Sequence, residues 1–250
     1  MEAMILAAGA GTRLRPLTDR TPKALVEVGG RPLLAHVLGR LAAAGVERIV
    51  VNTHAHADQV RTFLDGGAPA GVEVVLSPEP DGPYDTGGGL LAAAPLFHRD
   101  GPILLHNVDV LSDIPLERLL EAHRAAAEHA EGRLMATVAV QDRTSGRRLL
   151  FDRDGLLGWE NREAGGAVIG SERVREPAGP ITRWSFTGIH IIDPAMLRHC
   201  SRTGVFSIIA WYLDLARQGY VIQAADVSGC EWIDVGTPAR LEEARRKFGG

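Results

Sequence analysis

A chain of 250 residues, 45% of them hydrophobic, is long enough to bury one sizeable core and is expected to form a single domain over 1–250. Its formal charge of −4 and the lack of a long basic run exclude the electrostatic footprint of a nucleic-acid binder and leave a small charged metabolite as the expected partner. No apolar run is long enough to span a bilayer and no basic segment precedes the first one, so no membrane partner and a cytoplasmic location are expected; Cys200 and Cys230 match neither a disulfide framework nor a zinc site and are expected to be buried thiols.

Residues 4–8 form a short apolar run ended by Gly9, as in a buried parallel strand that feeds a loop. Pro32 opens a helical pattern with Leu33, Leu34, Val37, Leu38 and Leu41 on one face, and Gly45 stands where a helix C-cap belongs. Strand signals at 49–51, 72–76 and 103–106 alternate with helical segments at 56–64, 88–96 and 115–130, and an alternating strand follows at 135–140. Strands separated by helices of this length predict right-handed βαβ units, hence an α/β, Rossmann-like, mainly parallel sheet flanked by helices. The rhythm breaks after Gln141. Residues 142–185, rich in Gly and Arg with apolar pieces at 149–151 and 156–159, predict a small β-rich substrate-binding insertion. A strand at 187–192, a helix at 207–217, a strand at 221–225 and a closing helix at 238–248 complete the pattern.

The first loop reads Gly9-Ala10-Gly11-Thr12-Arg13-Leu14-Arg15-Pro16-Leu17-Thr18, then Thr21-Pro22-Lys23. Glycines after a buried strand let backbone N–H groups approach phosphate oxygens, and Arg13 and Arg15 bring forked donors to the same place. A dinucleotide fingerprint is excluded because Leu14 stands where the third glycine belongs, and no Gly-Lys-Ser/Thr follows to make a Walker A loop. Lys23 and Lys247 are the only lysines in the chain, so a position that merely needs a cation takes arginine here, and Lys23 calls for a chemical explanation. A compact ammonium follows charge as it moves between oxygens, whereas a guanidinium imposes a planar fork. Further on, Asn107-Val108-Asp109 ends a predicted strand, which places a carboxylate at the ligand crevice of a parallel sheet. Mg²⁺ takes hard oxygen ligands, commonly one or two carboxylates besides phosphates and water; Asp109 suits that demand, and Asp234 in Trp232-Ile233-Asp234-Val235-Gly236-Thr237 is the second candidate. By residue type alone, either aspartate is more commonly a turn or N-cap residue, and Asp113 matches that description better.

The loop string matches, at every position, the Gly-x-Gly-Thr-Arg-Leu-x-Pro-Leu-Thr and Pro-Lys signature of the sugar-phosphate nucleotidyltransferases, and the resemblance continues along most of the chain. Length and downstream motifs resemble the short bacterial uridylyltransferases acting on N-acetylmuramate 1-phosphate and the guanylyltransferases acting on mannose 1-phosphate. The resemblance implies a nucleotide-binding core over 1–141 and a sugar-binding and second metal-ligand portion over 142–250. It implies that Leu6, Ala8, Gly9, Gly11, Thr12, Arg13 and Lys23 bind the nucleotide, with Arg13 and Lys23 at the reacting centre. The segment Ser77-Pro78-Glu79 to Asp85-Thr86-Gly87-Gly88-Gly89 resembles the family's base-recognition stretch, so Ser77 and Gly82 are implied at the base edge, with Gly87 leaving space for nucleotide and sugar. Asp109 and Asp234 are implied as the ligands of a Mg²⁺ cofactor, and Asn107, Glu160, Asn161 and Gly188 as sugar-binding residues. Two departures stand out. Val108 occupies the place of the glycine that usually precedes the first aspartate, where a side chain narrows the sugar pocket or tilts the loop. No lysine matches the second lysine of larger members, which leaves Arg162 or Arg183 to hold the acceptor phosphate.

The expected reaction is Mg²⁺-dependent transfer of a nucleotidyl group, UTP favoured, to a sugar 1-phosphate, by a monomer or dimer. The alternatives are a cytidylyltransferase acting on phosphocholine or a similar alcohol phosphate, favoured by a negative pocket around Trp159, and a non-catalytic nucleotide sensor. No Ser/His/Asp set, nucleophilic cysteine or His-Glu-x-x-His motif competes with these.

Overall fold

The computed structural model describes residues 1–98, 100–163 and 165–248. After β1 (Glu2–Leu6) the chain passes through three 3-10 turns, Thr12–Leu14, Leu17–Asp19 and Lys23–Leu25, and a short hairpin of β2 (Glu27–Val28) and β3 (Arg31–Pro32) into α1 (Leu33–Ala43). There follow β4 (Arg48–Thr53), α2 (Ala57–Gly67), β5 (Glu73–Pro78), α3 (Asp85–Ala93), β6 (Ile103–Asn107), β7 (Val110–Ser112), α4 (Leu116–His129) and β8 (Leu134–Gln141). The second half supplies β9 (Arg147–Asp152), β10 (Gly155–Arg162), β11 (Val168–Arg173), β12 (Thr182–Ile192), α5 (Ile208–Arg217), β13 (Val221–Asp226), β14 (Trp232–Asp234) and α6 (Pro238–Phe248).

Apolar faces at the right spacing build these elements. In α1 the stripe Leu33, Leu34, Val37, Leu38 and Leu41 is wholly buried, and Gly45, at φ +75°, takes the left-handed conformation just past the helix end. β5, β4, β1 and β6 pair in parallel, as the βαβ rhythm predicts. β12 then runs antiparallel to both β6 and β8, and β13 returns parallel to β8, so the central sheet is mixed but mainly parallel. The far end of β12, Thr182–Trp184, pairs with β9 and carries the β9-β10-β11 insertion, joining both halves in one ten-stranded sheet.

Three local expectations change. The helix expected from Gly88 starts at Asp85, so the three glycines lie in its first turns. β8 reads as an alternating strand, yet all eight residues are buried, because it lies between β12 and β13 rather than at a solvated face. Cys200 and Cys230 are free but only half-buried, and partial burial pushes both thiols up. Among the described residues no helix is long and apolar enough to cross a membrane.

Two apolar clusters cover the faces of the sheet, and a third is smaller and separate. It gathers Leu14, Val26, Val28, Leu33, Leu111, Ile233, Val235, Leu241 and Ala244 from the glycine loop, the β2–β3 hairpin, β7, β14 and α6. Burying each leucine, isoleucine or valine contributes about 1.5–3 kcal/mol. That cluster holds together segments more than two hundred residues apart in the chain, Leu14 and Val235 among them.

Candidate active site

A cavity of about 320 Å³ opens beyond the carboxyl ends of β1 and β6, where ligands of parallel sheets bind. Its walls include Leu6, Ala8, Gly9, Gly11, Thr12, Arg13 and Lys23 on one side and Asn107, Val108 and Asp109 on the other. Leu14, only 1% exposed, anchors the loop in the third cluster and leaves Gly9–Arg13 facing the cavity. Gly11 sits at φ +60°, and a Cβ there would lie 3.0 Å from a Thr18 methyl and 3.3 Å from the Lys23 Cβ, so the close fold of the loop over Lys23 demands glycine. The Thr18 hydroxyl donates to the Gly11 carbonyl at 2.8 Å and closes the loop. Arg15 does not join the cradle: it is exposed and pairs with Asp19.

The two candidate metal residues meet through β7 and β14. These three-residue strands pair antiparallel with Asp234 opposite Val110, and the Val235 N–H donates to the Asp109 carbonyl at 2.7 Å. Asp113, beyond β7, brackets the pair by accepting the Glu231 N–H at 2.7 Å, a long-range tie between the two strands rather than the local turn or N-cap bond expected of it. The Lys23 ammonium donates to Asp109 Oδ2, both side chains being largely shielded. Arg13 lies over Gly236: a Cβ on that glycine would be 2.9 Å from Arg13 Nη2 and 3.4 Å from Asp234 Oδ1. Arg13, Lys23, Asp109 and Asp234 therefore come together from positions spread over the whole chain. Among the described residues no three His, Cys, Asp or Glu side chains gather as a metal cluster. A cation here would rest on the carboxylates of Asp109 and Asp234, completed by ligand oxygens and water, as suits Mg²⁺. Val108 packs into the second apolar cluster while its N–H donates to the Leu6 carbonyl, so the side chain lines the cavity without unseating the loop.

Several expected contacts are placed elsewhere. Ser77 is buried in β5 and does not line the cavity; nor does Gly82, although its neighbour Pro83 does. Gly87 faces Phe206, whose ring a Cβ would meet at 2.5 Å, so it seats α3 on the segment before α5 rather than leaving room for ligand. Its N–H and that of Gly88 both donate to the Phe206 carbonyl. Glu160 is 5% exposed, and its Oε1 accepts Arg162 Nε at 2.7 Å and Arg183 Nε at 3.1 Å. These partners hold its carboxyl below the usual range and leave neither Glu160 nor the two arginines facing a cavity. Asn161 lines neither cavity, and Gly188 touches the site through Asn107.

A second cavity of about 560 Å³ shares Asp85, Thr86 and Asn107 with the first and extends over Trp159, Leu149 and Arg147. Alternation along β10 explains the exchange of Trp159 for Glu160, since neighbouring residues on a strand point to opposite faces. Residues not singled out from sequence also shape the site. Asn52 accepts the Ala7 N–H at 2.6 Å and donates to Glu79 at 2.7 Å, and the other Glu79 oxygen accepts the Tyr84 N–H at 2.7 Å. This relay fixes the wall between β1 and α3. Polar residues that break apolar strands, Asn52 above all, were its sequence signal. Asp85 adopts φ +58° at the seam of the two cavities, an uncommon conformation for a residue with a side chain. Arg143 stacks 3.8 Å over the Trp232 ring and donates to the Phe186 carbonyl, with its Nε buried and unpaired among the described residues.

A sequence model of the nucleotidyl transferase family matches residues 2–146. The chain belongs to that family. A Neisseria meningitidis N-acetylmuramate alpha-1-phosphate uridylyltransferase is 33% identical to this nucleotidyl transferase over all of its length and 99% of the relative. The Caulobacter vibrioides enzyme of the same description is 35% identical over 97% of each chain. Among solved structures, the inositol-1-phosphate CTP transferase of T. maritima superposes with a TM-score of 0.71 at 17% identity, covering 100% of this chain and 97% of the other, a likeness of fold. The activity of this nucleotidyl transferase is nucleotidyl transfer to a sugar phosphate.

Proposed function

We propose that the protein transfers the uridylyl group of UTP to the 1-phosphate of N-acetylmuramate, with Mg²⁺ held by Asp109 and Asp234. The convergence of Arg13, Lys23 and Asp109 under the glycine loop, with Asp234 next to Arg13 at Gly236 and a second cavity of sugar size adjoining, is the observation that carries this reading. The base and the sugar follow the two relatives matched along their full length.

The backbone of Gly9–Thr12 and the side chain of Arg13 hold the triphosphate, and Lys23 turns from Asp109 toward its oxygens. The seam at Asp85, Thr86 and Asn107 sets the acceptor phosphate in line with the α-phosphorus. An acceptor oxygen forms the new bond to the α-phosphorus while the bond to the bridging oxygen of the β-phosphate breaks, and pyrophosphate departs with that electron pair. A sugar phosphate is already ionised near neutrality, so no general base is required and catalysis rests on positioning and charge neutralisation. Mg²⁺, when bound, supplies further neutralisation of phosphate charge. The phosphocholine alternative asks for a negative pocket around Trp159; Arg147 and Arg202 share that cavity with Glu172, which counts against it.

The test is a grid of the four NTPs against N-acetylmuramate, N-acetylglucosamine, mannose and glucose 1-phosphates and phosphocholine, read as released pyrophosphate. UTP with N-acetylmuramate 1-phosphate is expected to give the highest kcat/KM. Turnover of phosphocholine with CTP and of no sugar 1-phosphate refutes the proposal.

A further inference from the structure

We propose that Arg147 reads a carboxylate carried by the acceptor sugar, and that it sets the preference of the second cavity for an acidic sugar 1-phosphate over a neutral one. The inference rests on the assignment of that cavity to the acceptor in the preceding section. In β9, Arg147 shares a strand face with Leu149, which stands opposite Trp159 of β10, and all three line the cavity. Arg148 starts on the opposite face, where it bonds Asp142 and the Arg183 carbonyl. The other arginines of the cavity, Arg148 among them, and Glu172 are paired. Arg202 makes a bidentate pair with Asp214 at 2.5 and 3.0 Å, and Glu172 pairs with Arg217 at 2.8 Å. Asp85 stands at the seam, with one oxygen accepting the Thr86 N–H. The Arg147 guanidinium has no hydrogen bond or ion pair among the described residues; only its backbone is bonded, the carbonyl accepting the Ser145 hydroxyl at 3.0 Å.

An unpaired guanidinium beside an aromatic ring offers a planar fork to a carboxylate while the ring supports a sugar face. Arg147 lines only the second cavity, whereas the transferable phosphate must reach Lys23 and Asp109 in the first. It therefore faces the part of the acceptor remote from the reaction. N-acetylmuramate differs from N-acetylglucosamine by a lactyl ether that ends in a carboxylate, so the two 1-phosphates isolate this contact.

The experiment measures kcat and KM for both 1-phosphates at saturating UTP in the parent, Arg147→Gln and Arg147→Lys. Melting temperature and UTP affinity are followed in each protein. The parent is expected to prefer N-acetylmuramate 1-phosphate. Arg147→Gln should lower its kcat/KM by about tenfold to a hundredfold, chiefly through KM, as expected for losing a charge-assisted hydrogen bond. The neutral acceptor, the melting temperature and UTP affinity should stay unchanged, and Arg147→Lys should recover part of the loss. Equal losses on both acceptors, no loss on either, or a fall in UTP affinity overturns the assignment. A parent that uses only the neutral acceptor overturns it while nucleotidyl transfer to a sugar phosphate stands; a parent that uses neither overturns it together with the proposed choice of N-acetylmuramate.

Discussion

Gly188→Ala tests how the active-site floor is built. Gly188 is buried in the irregular stretch of β12 between Phe186 and His190, at φ +82°, and an added Cβ would lie 2.7 Å from Asn107 Nδ2, 2.9 Å from Cγ and 3.2 Å from Cβ. Alanine in the left-handed region costs about 1–2 kcal/mol, and crowding in a packed site adds about 1–3 kcal/mol. The expected destabilisation is therefore about 2–5 kcal/mol, with reduced turnover because Asn107 lines both cavities. In an Asn107→Ala background the two nearest atoms are gone and the backbone strain remains. Urea unfolding of the parent, the two single variants and the double variant closes a thermodynamic cycle. A coupling of about 1–2 kcal/mol is expected, relieving the crowding part of the cost. Coupling below about 0.5 kcal/mol, the additivity expected of independent sites, would refute the idea that Gly188 is required for its contact with Asn107.

Lys23→Gln removes the cation paired with Asp109, so Mn²⁺ binding to the nucleotide-free chain, followed by electron paramagnetic resonance, should tighten severalfold. Turnover should fall about a hundredfold if the lost transition-state stabilisation is about 2.7 kcal/mol; unchanged or weaker Mn²⁺ affinity places the metal away from Asp109. Acid should destabilise the fold through its buried histidines. Burial pushes His106 and His123 down to about 4 and His190 to about 3 from an ordinary 6.5. The unfolded chain then binds protons that the folded chain refuses, so stability is full above about pH 6.5 and declines as the pH falls toward 4. Calorimetric unfolding at pH 5 in buffers of different ionisation enthalpy should show net proton uptake, and none would contradict the assignment of neutral buried imidazoles.

The parts of the fold legible from sequence are those whose pattern is local. The stripe Leu33, Leu34, Val37, Leu38 and Leu41 announces α1, and the alternation of short apolar runs with helices announces the parallel half of the sheet. A strand end at Asp234 is legible, but β7 and its pairing with β14 were not, since three residues make no periodic pattern and the pairing joins Val110–Ser112 to the distant Trp232–Asp234. The loop's fold over Lys23 was legible because positive φ and close approach restrict position 11 to glycine. Glu160 misled because a motif resemblance locates a segment but not its register. One step along β10 exchanges the cavity face of Trp159 for the face where Arg162 and Arg183 hold Glu160. The glycines after Thr86 signalled close approach correctly, but the approaching group for Gly87 is Phe206 from the segment before α5.

The way Asp234 is held bears on how such a site keeps its geometry. A three-residue strand contributes few ladder hydrogen bonds, so its position depends on the side chains that flank the aspartate. Ile233 and Val235 are fully buried, and they pack in one cluster with Leu14, which anchors the loop of Arg13, and Leu111, which follows Asp109 by two residues. The hydrophobic effect is non-directional, but close packing of interlocking side chains fixes relative position. Gathering the residues that neighbour Arg13, Asp109 and Asp234 into one cluster therefore sets the spacing of like and unlike charges without requiring the charges to attract one another. That matters for phosphoryl chemistry, where the groups must be aimed at an anion before it arrives and reorganise little while charge moves. In the proposed reaction Lys23, paired with Asp109 on a flexible stem, would be the member of the set to follow the charge.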